Sequence, residues 1–163
     1  MIAPRCRLAL VHSAFMVPPH VSQQLLQAGS ASALADAAAF LRSRVCSDGA
    51  VNGETGDFDL PQRQWADLLE WAVSCGKILP LDFPAPVREG GREHDVSLHE
   101  ASGRWIKYTK RSSSGFTVSW SEAGRPYLHN ALPLDYLQRL LWQNDLLGDD
   151  IQLVGLWQEQ AHQ

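Results

Sequence analysis

Cysteine is scarce in this 163-residue chain: Cys6, Cys46 and Cys75 are the only three. They are odd in number, far apart and without a Cys-x-x-Cys pair. That argues against a disulfide framework or a zinc site and suits a reducing, cytoplasmic setting. Excess charge is lacking too. A net charge of −4 exerts no global pull towards nucleic acid or an anionic membrane, so neither is an expected partner. Long apolar runs are missing: Leu8 to Val17 falls far short of the roughly 20 residues of a membrane-crossing helix. There is no Gly-x-Ser-x-Gly elbow, no Walker lysine loop and no Rossmann fingerprint. The histidines have no short ligand spacing, so no metal site is expected.

What remains is the composition of a globular chain, 45% apolar with six tryptophans. A chain of this size buries about 70% of its unfolded surface, enough for a core without staples. Arg5 and Arg7 before Leu8 to Val17 have the outline of a signal peptide. His12 and Ser13 interrupt that run, Pro18-Pro19 end it and no clean cleavage site follows, so the segment reads as a loosely packed leader. His20 to Val45 reads as helical with a break near Gly29-Ser30, and Leu34, Ala38 and Leu41 share a stripe. The turn-rich stretch Ser47 to Gly56 places a boundary between a helical segment, residues 1–56, and a domain at 57–163.

Asp59, Pro61 and Gln62 open the next predicted helix, and Gly76 lies just past its end. Its predicted buried stripe is Trp65, Leu68, Leu69, Ala72 and Val73. A proline-rich linker over 78–87 follows. Strands are predicted at Asp95 to His99, Arg104 to Lys110 and Phe116 to Trp120, joined by short turns into an antiparallel meander. Tyr127 to Leu132 adds a short strand. Pro133 opens a helix to Leu147 that turns Leu137, Leu140, Leu141 and Leu147 inward, with Gly148 as its stop. Asp149-Asp150 reads as a capping turn or as carboxylates brought to a metal, and Ile151 to Trp157 as a returning strand. The fold class is α+β: a β-meander with a packed helix, preceded by a helical segment. The helix is expected to bury its leucines against Val96, Leu98, Ile106 or Val118.

Lys107 stands out. Trp105, Lys107 and Thr109 share one strand face while Ile106 and Tyr108 share the other. Such a lysine is either an edge residue that discourages sheet-to-sheet pairing or an aimed cation. Arg104, Lys107, Lys110 and Arg111 with Trp105 and Tyr108 also make the pattern of a small nucleic-acid binder, or of a solvated hairpin surface offset by nearby carboxylates.

Glu93-His94-Asp95-Val96, then Glu100 to Lys110, Leu132 to Leu137 and Leu147 to Ile151, in that order, resemble the kinase-like domain of bacterial and phage polyvalent proteins. The resemblance covers roughly residues 66 to 157. It implies a fold like the amino-terminal lobe of protein kinases, with Gly90 and Gly91 as the glycine turn, Lys107 as the phosphate-pairing lysine and the Pro133 helix as the lobe helix. A kinase lobe places a glutamate on that helix. This helix has none, which leaves Asp135, then Asp145 and Glu93, as candidate partners of Lys107. Neither a His-Arg-Asp loop nor an Asp-Phe-Gly ligand is present, so no catalytic residue is assigned. The resemblance implies an incomplete kinase-like lobe of a mobile-element type of protein, acting as an interaction module or remnant. The alternative is a phosphotransferase completed by a protein partner or oligomer, with ATP and magnesium entering only if a second lobe is supplied.

Overall fold

The computed structural model describes residues 6–12, 31–47, 59–80, 83, 85, 87–89, 93–100, 103–110 and 114–158. Strand β1 (Cys6–His12) comes first, then helices α1 (Ala31–Ser47) and α2 (Leu60–Ser74). Strands β2 (Arg88–Glu89), β3 (His94–His99), β4 (Arg104–Thr109), β5 (Phe116–Trp120) and β6 (Pro126–Asn130) follow. Helix α3 (Pro133–Leu147) and strand β7 (Ile151–Gln158) complete the order. The architecture is α+β with antiparallel strand pairing throughout the named strands, as the alternation in the sequence predicted.

The sheet differs from a sequential meander. Its order is β2-β3-β4-β1-β7, and β5 and β6 form a separate two-stranded ribbon. The expected leader is therefore a strand inside the sheet: Ala9 faces Tyr108 on one side and Gly155 on the other. Leu8, Ala9 and Val11 are fully buried. An apolar run next to two arginines describes a buried strand with a charged flank as well as it describes a signal peptide. Only the pairing partners separate the two readings.

Helices α1, α2 and α3 cover one face of the sheet. Leu8 and Leu10 of β1 and Leu153 and Leu156 of β7 share a core with Leu34, Leu41, Leu68 and Leu137. The opposite face is closed by Phe83 and Leu79, over Ala9, Val11, Ile106 and Tyr108. Described parts of 1–56 and 57–163 thus share one sheet and one core, and the boundary near residue 56 does not separate two of them. Gly29-Ser30 lies outside the described residues, and α1 begins just after it.

The helices turn by slightly different amounts than predicted. In α2 the buried positions are Gln64, Leu68, Trp71 and Ala72, an i, i+4, i+7, i+8 stripe, while Val73 is 63% exposed. In α3 Tyr136, Leu137 and Leu140 are buried but Leu147 is exposed. The α3 leucines meet Leu8 and Leu10 rather than Ile106, which lies on the other face. Leu98 and Val118 are exposed. Asp59 sits at the N-cap of α2 without a side-chain cap bond. The buried Gln64 instead accepts the Leu134 N–H through Oε1 at 3.0 Å, capping α3 from the neighbouring helix.

Strand β7 is an edge strand only in part. Residues 77–79 run beside it, with Leu79 N–H donating to the Leu156 carbonyl at 2.9 Å and Leu156 N–H to the Lys77 carbonyl at 2.8 Å. This approach needs glycine at 155, because a Cβ there would run into the Lys77 carbonyl oxygen and the Leu79 side chain. Gly155→Ala is expected to destabilise the fold by about 1–3 kcal/mol, the usual cost of forcing a methyl into a packed site. Urea unfolding measures it, and a loss below about 0.5 kcal/mol would mean that residues 77–79 are not held against β7.

Candidate functional site

A cavity of about 320 Å³ lies between the sheet and α3. Its floor takes one side chain from each of four adjacent strands: His94, Lys107, Leu10 and Ile151. The register explains this, since Leu10 lies opposite Lys107 and the face alternates with period 2. Helix α3 forms the wall with Tyr136, Arg139, Leu140 and Gln143, an i, i+3, i+4, i+7 set. Glu93, beside the start of β3, and Asp149, just past the end of α3, complete the lining.

One end is tightly hydrogen-bonded. Arg139 Nη2 donates to Glu93 Oε2 at 3.1 Å and Nη1 to the Phe116 carbonyl at 2.6 Å. Glu93 Oε1 accepts the Phe116 N–H at 3.2 Å. The pair is therefore mutually neutralised and fixes the root of the β5–β6 ribbon. Beside it, His94 Nε2 and the Tyr136 hydroxyl share a 2.6 Å hydrogen bond. Burial holds the His94 ring below the ordinary histidine range; the Lys107 and Arg139 charges add to this while Glu93 and Asp95 oppose it. Burial also pushes the Tyr136 hydroxyl well above its usual range. Both groups are accordingly neutral at physiological pH.

At the other end Gly148 closes α3 in the left-handed conformation, φ 69°. Asn144 then grips the start of β7 from both sides, its Nδ2 donating to the Ile151 carbonyl and its Oδ1 accepting the Ile151 N–H, each at 2.9 Å. These bonds fix the short connection that carries Asp149. Asp150 is exposed and accepts from Gln152 instead.

Lys107 faces this cavity, half-buried, and its side chain makes no ion pair or hydrogen bond among the described residues. Its expected partners are elsewhere. Asp135 is exposed in the first turn of α3 and Asp145 is exposed near its end. Glu93 does line the cavity but is held by Arg139. Gly90 and Gly91 lie outside the described residues. Among the described residues no three His, Cys, Asp or Glu side chains are grouped to hold a metal ion. Nor is any described helix long and apolar enough to cross a membrane.

Sequence reasoning missed Tyr136, Arg139, Gln143 and the cavity role of Asp149. The available signal was polar residues at helical spacing, placed beside the Leu137 and Leu140 stripe. The basic-aromatic cluster predicted as a nucleic-acid surface is split in the structure. Lys107 faces the helices, Tyr108 is fully buried on the opposite face and Lys110 is paired with Asp95.

Fold and cavity together define an α+β protein with a five-stranded sheet, a separate two-stranded ribbon and, under α3, a cavity lined by charged and apolar side chains. Compared with protein-family models, curated proteins and solved structures, the chain has no match.

Proposed function

We propose that the chain is a catalytically silent binding module of kinase-lobe-like type, whose working part is the Lys107 cavity. The observation that carries this reading is the Lys107 ammonium, without a partner among the described residues, on the floor of the cavity. Taking a lysine part-way out of water without a partner is costly, so such a group at a cavity floor is a candidate for meeting a ligand. The helix beside Lys107 supplies a tyrosine, an arginine and a glutamine where a kinase lobe has its glutamate. Phosphoryl transfer also needs metal ligands and a residue that orients the nucleophile, and the cavity's carboxylates are Glu93, already bound to Arg139, and a single Asp149. A reducing cytoplasmic setting and a mobile-element origin belong to this reading through the cysteine pattern and the resemblance.

One observation favours the variant in which a protein partner completes the site. The β5–β6 ribbon leaves Val118 55%, Trp120 68% and Leu128 67% exposed. Val118 lies opposite Leu128 and Trp120 opposite Pro126, on one face. Apolar surface gathered in this way commonly marks a protein contact.

The purified chain is expected to show no ATP turnover with magnesium present, and any nucleotide binding should disappear in Lys107→Ala. Radiolabelled phosphate release measures the first and calorimetric titration the second. Reproducible hydrolysis that Lys107→Ala abolishes would overturn the silent-module reading in favour of an enzyme.

A further inference from the structure

The geometry points to a small zwitterion, of the size and charge pattern of a free amino acid, as the ligand of the Lys107 cavity. This inference rests on the binding-module reading above and specifies the ligand. Four charged side chains line the cavity: Lys107, Arg139, Glu93 and Asp149. Arg139 and Glu93 neutralise each other at 3.1 Å and are both engaged with the Phe116 backbone. That leaves one cation and one anion, Lys107 and Asp149. Neither side chain makes a hydrogen bond or an ion pair with a described residue, and they do not pair with each other.

Both poles are held by rigid structure. Lys107 projects from β4, between β3 and β1, in the interior of the sheet. Asp149 sits on a connection fixed by the left-handed Gly148 cap and by the two Asn144 bonds to Ile151. Apolar Leu10, Leu140 and Ile151 complete the lining and suit a short aliphatic stem. Two like-charged free groups would select an ion. Two opposite ones, not paired with each other, select a molecule with a carboxylate for Lys107 and an ammonium for Asp149.

Other small ligands fit the charges less well. A phosphate or nucleotide would gain one free cation and meet repulsion from Asp149 and Glu93. A simple cation would meet Lys107. The cavity volume, about 320 Å³, is at the lower end of small-molecule sites, which favours a compact ligand. His94 and Tyr136, neutral and bonded to each other, add polarity near Lys107 without changing this balance.

Calorimetric titration of the full chain tests the assignment. The probes are L-leucine, L-glutamine and L-arginine, each beside its N-acetylated and C-amidated forms, with inorganic phosphate and ATP. At least one free amino acid should bind, with both of its blocked forms weaker by about tenfold or more, the usual loss when a charged hydrogen-bonding group is removed. Lys107→Met should abolish the difference between free and amidated forms. Asp149→Asn, a nearly isosteric change on an exposed connection, should abolish the difference between free and acetylated forms. Thermal melting of both variants establishes that they are folded. Phosphate or ATP binding more tightly than every amino acid would overturn the zwitterion assignment. So would equal binding of blocked and free forms, or no amino-acid binding to about 10 mM. None of these results touches the silent-module reading, which fails only on ATP turnover.

Discussion

A chain beginning at residue 13 is expected to show no cooperative unfolding transition. The deleted residues include β1, which pairs with β4 and β7 at once. Its removal would leave both neighbours with an unpaired row of backbone groups inside the sheet. It would also remove Leu8, Leu10 and Val11, each at most 2% exposed and each contributing about 1.5–3 kcal/mol by burial. Together those losses are comparable to the whole stability of an ordinary domain, about 5–15 kcal/mol. Circular dichroism across a urea series measures the outcome. A truncated chain that unfolds cooperatively, within about 1 kcal/mol of the full one, would return this segment to the status of a leader.

The second large effect is expected at Asp95. On the sheet face away from the helices, Asp95 is bound by Arg7, and Lys110 Nζ lies 2.6 Å from its Oδ1. Arg7 Nε also donates to the Thr109 carbonyl at 2.6 Å. The Arg7 side chain is only 5% exposed, so removing its counter-ion strands a cation in the sheet. Asp95→Ala should cost about 3–5 kcal/mol, as for other broken buried pairs. Adding Arg7→Met should recover part of that loss, which a double-mutant cycle reads directly.

The same pair makes a pH prediction. Burial pulls the Asp95 carboxyl upward, but its bonds to Lys110 and Arg7 outweigh this and hold it below the ordinary aspartate value of 3.8. A folded value below the unfolded one means that the group stabilises fully above the unfolded value. The contribution is lost as pH falls through the folded value. The difference between wild type and Asp95→Ala should therefore be flat above about pH 5 and shrink on acidification below about pH 4. A difference that grows on acidification would show that the carboxylate is not held by these cations.

The local elements were legible because each carries its own signal. Alternation and β-branched residues marked β3 and β4, and Pro133 with Gly148 bounded α3 at the residues observed. The α1 stripe of Leu34, Ala38 and Leu41 is buried as read. His94 and His99 do lie on opposite faces, one bonded to Tyr136 and the other stacked on Phe83. Pairing was not legible, since nothing within Leu8 to Val11 says that its partners lie about a hundred residues away. The side of Lys107 was hidden for a related reason. Ile106 and Tyr108 look like the face a helix would cover, but both faces of this sheet are buried and the helices take the other one. The candidate site was half visible: Lys107 could be singled out on its strand, whereas its neighbours depend on which strand enters beside it.

The position of β1 also sets when the molecule can form. During synthesis Cys6–His12 emerges before both of its neighbours, residues 104–109 and 151–158. At usual elongation rates, roughly 7 to 30 s separate the making of β1 from the making of β7. Until β4 is made, Leu8, Leu10 and Val11 have no native strand to join, and until β7 is made β1 stays unpaired on one side. Contacts between segments this distant in sequence are slow to close, and the five-stranded sheet cannot be completed until β7 has been made. The early chain is then a natural client for chaperones that hold short apolar strands.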